Sequence, residues 1–544
     1  MLKFIHSNSF GGLILHMNTT KKRFLPYIGV LIYILMYILV SALFLTDFPW
    51  VHSDESWLAG LSRNMAETLD FSATEAFFDA KPRYPHALKL LFHGLQIIVC
   101  FFAGYSIAAV RLISLVACGI SMFFFYALAK RFLNHSLAAF ALMVIYSLDI
   151  QFIYTSHMAR QESLLLLALT LCLYIFFKDH TPNTLRHSIP LGIITGLSVG
   201  LHPNSFIIAT AIGCCYLAHI MTHPSDSKKP LLSYIATTGI IAGIFVGISY
   251  SFDSQFLSHY FANGADEFGI DATPGNRLLG LVGFFQRLFL QEGGTYYVAN
   301  IRLQLLIFLF ATLLMLVFFL IMRKEEETRN QCCQILSLLC AGFGVIAGIF
   351  LIGRFSQLSI IFLFPIGWLL TAFALSLFEG TAKGVCYIAL VISVFCISLL
   401  NIKPFLSAST YEDYLNQIAD YVSPEDSVIA NLNMDFYFEN GSLHDYRNLP
   451  YALQKNGTLD TYVTEHRIEY IFYSDELSYY YEHRPYYNAL YGNIMFAEVL
   501  KDYCETQCEY IGSFRNSQYA PRILELIGKD EYAEIKIYKT KYAN

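Results

Sequence analysis

The chain has 544 residues, of which 55% are hydrophobic and 14% are charged, and its formal net charge is -6. Soluble domains carry about 25% charged residues, so these values exclude an ordinary soluble protein. The small net charge for this length also argues against a nucleic-acid partner.

Apolar runs recur along the first 402 residues. A helix needs about 20 apolar residues to cross about 30 Å of hydrocarbon. The runs predict an all-α polytopic membrane domain, residues 1–402, whose amino terminus is cytoplasmic. The predicted spans are eleven: residues 26–46, 109–129, 136–155, 162–177, 188–202, 204–221, 231–251, 302–322, 332–352, 356–378 and 384–401.

Residues 88–104 form an apolar segment that is short and contains His93 and Gln96. With eleven spans, the Lys and Arg clusters fall in cytoplasmic loops, as the positive-inside rule requires. A twelfth span at this segment would move every later cluster to the outside. We therefore interpret it as an interfacial helix, which places loops 47–108 and 252–301 on the outer face.

The first outer loop carries acids and bases close to the membrane surface. Asp54 and Glu55 follow the first span, Arg63 comes next, and Lys81 and Arg83 precede the interfacial helix. Acids after a helix are often only solvated, and that interpretation stays open here. The alternation of charges beside a bilayer favours a site for an anionic lipid phosphate and a neutral hydroxyl acceptor.

A second group of polar residues lies between the third and fourth spans. His157, Arg160 and Glu162 share this turn, and Glu162 precedes a long apolar run. An acid at that depth usually has a partner or a function. Capping of the helix amino terminus, where the dipole favours negative charge, is the alternative. His202 joins the fifth and sixth spans on the same outer face.

A third candidate, Arg354, lies at the outer edge of the tenth span, in which Pro365 predicts a kink. A guanidinium group matches phosphate oxygens through charge-assisted hydrogen bonds. Anchoring of the span at the interface is the alternative. Arg354 is therefore a candidate cation for a lipid-linked phosphate.

The tail, residues 403–544, is polar and of ordinary domain size. Its sequence pattern predicts a small α/β extracytoplasmic domain with helices at 411–422 and 493–503. Four runs are strand-like: 427–432, 468–474, 509–514 and 534–538. Cys504 and Cys508 are one helical turn apart, which predicts a disulfide in an oxidising compartment, with two free thiols as the alternative.

The order of these motifs resembles the GT-C superfamily of glycosyltransferases. The order is Asp-Glu, an Arg, Lys-Pro, Arg-Leu at a span start, Ala-Arg-x-Glu before an apolar span, and His-Pro. Within the superfamily, the chain is similar to protein O-mannosyltransferases and to the bacterial aminoarabinose transferases of lipid A. The similarity covers roughly residues 25–380.

The resemblance also assigns roles. Asp54 matches the catalytic acid of the first loop, with Glu55 beside it, and Glu162 stands where the superfamily usually has Asp. Arg354 resembles an Arg before a Pro-containing late span. The donor phosphate would be bound by Arg63, Lys81 and Arg354, and further candidates are Arg83, His157, Arg160 and His202.

The implied reaction moves one sugar from polyprenyl phosphate to an acceptor hydroxyl, with inversion. Inversion needs a base opposite the leaving phosphate, and Asp54 is the predicted base. Glu162 and Glu55 would orient the acceptor or the sugar. The implied partners are the lipid-linked donor, a glycan, lipid or protein acceptor, and membrane lipids.

No cofactor is predicted with certainty. The sequence shows no Gly-rich loop with the Lys and Ser/Thr that bind a nucleotide. A divalent metal held by Asp54 and Glu162 stays open, because the identifiable ligands are too few to define a site.

Two other functional classes stay open. A transporter or flippase of lipid-linked sugars would carry charged or broken helices at mid-membrane, often in a repeated half. Charges here lie mainly at span ends, and no repeat is visible. A non-catalytic membrane protein that binds a glycan would leave the acids of the first loop without a role.

Overall fold

The computed structural model describes residues 9–178, 184–268, 273–292, 296–483, 496–519 and 532–543. The chain up to residue 406 is built from helices. They are α1 (Ser9–Ala42), α2 (Ser53–Thr68), α3 (Leu90–Ala103), α4 (Ile107–Leu133), α5 (Ser136–Ser147), α6 (Ile150–Ser156), α7 (Glu162–Phe176), α8 (Leu185–Leu197), α9 (Phe206–Thr222), α10 (Lys229–Phe252), α11 (Phe256–Phe268), α12 (Pro274–Leu290), α13 (Arg302–Met322), α14 (Arg329–Ile352), α15 (Phe364–Ser376) and α16 (Gly380–Leu406).

The helices confirm a multi-pass membrane protein. Each predicted span falls on one helix or on two consecutive helical segments. Within the described ranges, seven helices are long and apolar enough to cross a membrane, or eight if α5 and α6, bent by 66°, form one broken span. The helices α3 and α7 and the part of α1 from Pro26 are shorter. The total of eleven spans therefore stays a prediction.

The predicted interfacial segment is α3, which lies against α2. Its two polar residues are buried, and both hydrogen-bond the hydroxyl of Ser62. The distances to Ser62 Oγ are 2.8 Å from His93 Nδ1 and 2.6 Å from Gln96 Oε1. The far end of α3 exposes Phe101 and Phe102. The helix thus has one polar anchor on α2 and an apolar end that suits lipid.

Close packing of α14 on α9 sets the position of Arg354. A Cβ atom at Gly344 would lie 2.6 Å from the carbonyl oxygen of Thr210, and one at Gly348 would lie 2.8 Å from Ile207 Cα. Small residues at this four-residue spacing let two membrane helices approach closely. The helix then ends at Gly353, whose φ of 74° suits glycine, and the chain turns directly into Arg354.

The tail confirms the predicted α/β fold. Its sheet has the strand order β2-β1-β3-β5-β4; β1 pairs in parallel with β2 and β3, and β5 is antiparallel to β3 and β4. The strands are β1 (Val428–Ala430), β2 (Leu443–Asp445), β3 (Tyr470–Ser474), β4 (Glu509–Arg515) and β5 (Glu534–Lys539). The helices are α17 (Tyr411–Ala419), α18 (Leu449–Asn456), α19 (Leu459–Glu465), α20 (Asp475–His483) and α21 (Phe496–Gln507).

Every predicted strand overlaps an observed one, whereas β2 was not predicted because three residues with a central His carry no apolar pattern. The predicted helix at 411–422 corresponds to α17. Most of the one at 493–503 lies on α21, and residues 493–495 lie outside the described residues.

The tail and the first outer loop share one hydrophobic core. From the loop, Phe77 and Phe78 enter a buried cluster with Leu432 and Phe438 of the tail. Backbone contacts reinforce the junction, because the amide of Asp445 donates to the carbonyl oxygen of Phe77 at 3.2 Å. The helix α16 continues to Leu406, slightly beyond the predicted boundary at 402, which stays a prediction.

The predicted disulfide is wrong, because Cys504 and Cys508 are free thiols. Cys504 is buried in the core beneath the sheet with Leu500, whereas Cys508 follows the end of α21 and is partly exposed. A Cα spacing within bridging range is not sufficient, because the two Cβ vectors must also converge.

Candidate active site

The amino terminus of α2 sends its two neighbouring acids in different directions. His52 precedes the helix, and its Nδ1 atom accepts the amide of Asp54 at 3.0 Å. The carboxylate of Glu55 accepts the amide of His52 at 3.1 Å. This reciprocal capping box fixes the first turn. Glu55 is therefore buried inside the protein, whereas the side chain of Asp54 is 25% exposed.

Glu55 forms a buried ion pair that holds several segments together. Its carboxylate accepts hydrogen bonds from Arg111 Nε at 2.8 Å and from Arg111 Nη2 at 2.7 Å, and neither side chain is exposed. The same carboxylate accepts the amide of Ala159 at 2.7 Å. Because both oxygens are occupied and buried, Glu55 has no access to an acceptor. These contacts favour a structural role for Glu55, and its catalytic role stays a prediction.

Asp54 contacts Arg160 and Tyr296, and these three side chains contact one another. The ring of Tyr296 stacks on His52 with a centroid separation of 3.9 Å. Burial raises the pKa of the Asp54 carboxyl, but Arg160 and the other polar groups around it outweigh burial. The net effect holds the pKa of Asp54 well below its usual range, so the carboxylate is ionised at neutral pH.

Glu162 supports Arg160 from the other side. Its carboxylate accepts hydrogen bonds from Arg160 Nε at 3.2 Å and from Arg160 Nη2 at 3.3 Å. Glu162 is the first residue of α7 and is buried, so this contact fixes the guanidinium beside the start of α7. The guanidinium lies between Asp54 and Glu162 and contacts both. That position opposes a metal shared by the two acids.

Positive charges converge beside this group. Lys89, just before α3, is half-buried, and its pKa is lowered to about 8 by burial and then by the charges of Arg354 and Arg160. Arg354 also acts electrostatically on Asp54. The structure thus brings the predicted residues Asp54, Arg160 and Glu162 into direct contact, and the charge of Arg354 acts on the same group. It adds Lys89 and Tyr296, which the sequence interpretation missed.

The further candidate Arg83 and the predicted phosphate ligand Lys81, both of the first loop, have structural partners. Arg83 donates to Glu75 through Nε at 2.9 Å and through Nη2 at 2.8 Å, and it lies over the ring of Trp57. Lys81 is buried, and its backbone amide donates to Asn448 of the tail at 3.1 Å. Its role at the phosphate stays a prediction.

The two predicted histidines occupy packed positions. His157 is fully buried, and its ring stacks on Phe44 with a centroid separation of 4.8 Å. His202 caps a short 3₁₀ turn, because its Nδ1 atom accepts the amide of Asn204 at 3.0 Å. The charges of Lys89, Arg354 and Arg160 also act on His202. A role for either histidine at the site stays a prediction.

Arg63 lies away from the Asp54 group and joins α2 to the tail. Its Nη2 atom donates to Asp435 at 2.9 Å, and Nη1 donates to the carbonyl oxygen of Phe438 at 2.8 Å. The guanidinium also lies over the ring of Tyr105, 4.1 Å from its centroid. These contacts favour a structural role for Arg63, and its role at the donor phosphate stays a prediction.

We expect Arg63→Ala to loosen the junction between the tail and the first loop without weakening donor binding. Charge-assisted hydrogen bonds of this kind contribute about 1.5–3 kcal/mol each. Limited proteolysis should therefore cleave the variant faster near the junction. Arg515→Ala, which removes a more exposed Arg of the same tail, is the control. A loss of donor affinity in Arg63→Ala with unchanged proteolysis would support the assignment of Arg63 to the donor phosphate and contradict this expectation.

The fold and part of the sequence match known glycosyltransferases. Residues 90–249 match the family model for dolichyl-phosphate-mannose-protein mannosyltransferase. The structure is similar to ArnT from Cupriavidus metallidurans bound to undecaprenyl phosphate, with a TM-score of 0.58, 10% identity, and coverage of 95% of this chain and 99% of that chain. Its apo state gives a TM-score of 0.54, 11% identity and the same coverage. No curated protein sequence matches.

Proposed function

We propose that the chain moves a sugar from a polyprenyl-phosphate donor to an acceptor hydroxyl. The resemblance to GT-C glycosyltransferases supports this proposal, as do the family match over residues 90–249 and the ArnT-like fold. The transfer takes place on the outer face of the membrane, with inversion. The observation that carries the proposal is an ionised Asp54 that is bound by Arg160 and lies within the electrostatic reach of Arg354. An acid beside converging cations suits a reaction in which a hydroxyl loses a proton and a phosphate gains charge.

Asp54 is the proposed base. The hydroxyl of Tyr296 now donates to its carboxylate, and an acceptor hydroxyl that replaced Tyr296 would make the same hydrogen bond. The depressed pKa makes Asp54 a weak base, so proton transfer should come late, as the acceptor oxygen bonds to the anomeric carbon. Glu162 acts through Arg160 and is a positioning residue.

Lys89 and Arg354 are the proposed cations for the leaving phosphate. They influence each other electrostatically, and the ArnT structure with the same fold contains undecaprenyl phosphate. Two positive charges near one phosphate offset the negative charge that develops as the sugar leaves. Inversion further requires that this phosphate and Asp54 lie on opposite sides of the anomeric carbon.

The orientation in the membrane is part of the proposal. We place the amino terminus in the cytoplasm and the tail outside, because this arrangement puts the Lys and Arg clusters on the cytoplasmic side. The hydrophobic core shared by the first loop and the tail supports one part of this orientation, because it requires the first loop and the tail to lie on the same face of the membrane.

A transfer assay tests the function directly. Purified protein is given polyprenyl-phosphate sugars with a radiolabelled sugar, together with membrane glycan, lipid and peptide acceptors. A transferase moves the label to an acceptor and releases polyprenyl phosphate. A flippase moves intact donor between leaflets, and a glycan-binding protein leaves donor and acceptor unchanged. Either of the last two results would refute the proposal.

Donor binding should weaken as the pH rises through about 8. The ammonium form of Lys89 binds phosphate, and burial beside Arg354 lets it lose its proton near this pH. A sugar phosphodiester has no second ionisation there, so the change belongs to the protein. Equilibrium binding on both sides of this pH measures the effect.

Two variants sharpen this measurement. Lys89→Arg keeps its charge at all these pH values and should remove the pH dependence. Lys89→Ala should weaken binding about tenfold or more, because a charge-assisted contact contributes about 1.5–3 kcal/mol. Lys130→Ala, at the predicted cytoplasmic end of α4, is the control. Unchanged binding by Lys89→Ala would remove Lys89 from the site.

A further inference from the structure

We propose that Asp79, His444 and His466 form a binding site for a divalent transition metal, with zinc as the best fit, that fastens the tail to the first outer loop. Asp79 belongs to the loop between α2 and α3. His444 lies on β2, and His466 follows α19. The site is separate from the Asp54 group and takes no part in the proposed transfer.

The three side chains already converge. Asp79 Oδ2 lies 2.7 Å from His444 Nδ1 and 3.1 Å from His466 Nδ1, and the candidate ligand atoms all lie within 4.8 Å of one another. Around a tetrahedral zinc with bonds of about 2.0–2.1 Å, neighbouring ligand atoms are about 3.3 Å apart. Small side-chain rotations would therefore open the required space. The side chain of His466 is 30% exposed, which leaves a path for entry and a position for water.

The hydrogen bonds around His444 favour a metal-binding tautomer. The hydroxyl of Ser427 donates to the carbonyl oxygen of His466 at 3.3 Å, so its oxygen is available to accept from His444 Nε2 at 3.2 Å. A proton on Nε2 leaves a lone pair on Nδ1, which faces the carboxylate of Asp79. Metal-bound histidines usually donate their other ring N–H in this way.

The carboxylate is oriented as well. Tyr462 donates its hydroxyl to Asp79 Oδ1 at 2.8 Å, and the other oxygen, Oδ2, faces both imidazoles. Each Nδ1 atom can contact Oδ2 either by donating a proton of its own or by sharing a metal ion with it. A metal ion between the three atoms would bind all of them at once and would use the lone pair that this tautomer of His444 leaves on Nδ1.

The ligand set indicates which metal fits. Two imidazoles and one carboxylate suit zinc and similar transition metals, whereas calcium and magnesium prefer oxygen ligands alone. Because the ligands come from the loop and from two elements of the tail, a bound metal would act as a cross-link. Its expected effect is on the stability of this junction, because none of the three ligands contacts Asp54 or Arg160 in the described contacts.

Metal binding by the full chain in detergent tests the proposal. After treatment with a chelator, the protein should take up about one zinc per chain, and Co²⁺ should give the visible absorption of a tetrahedral site. Zinc should also slow proteolysis at the junction between loop and tail. His444→Ala and His466→Ala should each weaken zinc binding at least about 10–100-fold. Mutating a residue that only hydrogen-bonds a metal ligand already causes a loss of this size.

The control variant is His259→Ala, which removes a histidine paired with Asp253 in the other outer loop and should bind zinc as the wild type does. The Co²⁺ spectrum of the wild type requires no variant, so misfolding of a variant cannot obscure the result. If the wild type shows no tetrahedral Co²⁺ absorption and takes up no more zinc than His444→Ala/His466→Ala, the cluster is a proton-bridged network and the proposal is wrong. Either outcome is independent of sugar transfer.

Discussion

Asp54→Asn should lower turnover by about 10²–10⁴ while donor binding stays close to that of the wild type. The amide keeps the size of the side chain and can still contact Tyr296, but it cannot take the proton of an acceptor hydroxyl. Arg160 keeps its two hydrogen bonds to Glu162, so the variant should fold. Single-turnover transfer and equilibrium donor binding, measured on the same preparation, separate the two effects.

The matched control is Asp70→Asn, which removes an exposed carboxylate just beyond the other end of α2 and should leave turnover unchanged. Glu162→Gln should reduce turnover less than Asp54→Asn, because its effect passes through the placement of Arg160. A folded Asp54→Asn enzyme that turns over within about threefold of the wild type would falsify the mechanism, since a general base contributes at least about 10².

Glu55→Gln should have a different effect: it should lower the stability of the folded protein. Breaking a buried ion pair costs about 3–5 kcal/mol, because the remaining charge of Arg111 is left uncompensated away from water. The carbonyl oxygens of Leu45 and Pro49 still accept from Arg111, but they carry no net charge. The thermal midpoint in detergent and the proteolysis of the first loop measure this loss.

Removing both charges of this pair provides the control. Glu55→Leu/Arg111→Met replaces the pair by apolar side chains and should recover part of the lost stability. Recovery should be incomplete, because the amides of His52 and Ala159 lose their acceptor. If Glu55→Gln proves as stable as the wild type but does not transfer sugar, Glu55 belongs to the chemistry after all.

Sequence patterns predicted the membrane helices and the strands of the tail because apolar periodicity is local. The choice between Asp54 and Glu55 was harder, since neighbouring acids look alike in a sequence. One local pattern distinguishes the two acids: His52 and Glu55 have the spacing of a capping box, which turns Glu55 back towards the helix start. Histidine is an unusual first residue of that motif, so the pattern was not recognised. The resemblance to the superfamily favoured Asp54 for a reason unrelated to this geometry.

Local sequence patterns do not predict contacts between residues that are far apart in the chain. Tyr296 reaches Asp54 from the other outer loop, and Arg63 meets Asp435 across most of the chain. Lys89 has a local signal, a lysine at the start of an apolar helix, but it was not singled out from the sequence. Only the folded chain shows that Lys89 lies near Arg354.

The core shared by the first loop and the tail has a consequence for exchanging parts between related proteins. The natural unit of exchange is discontinuous: it consists of residues 47–108 together with residues 403–544. A chimera that swaps the tail alone would pair Phe77 and Phe78 with foreign side chains and would separate Asp79 from His444 and His466. If the tail contributes to acceptor preference, a chimera can therefore acquire that preference only when both stretches are exchanged together.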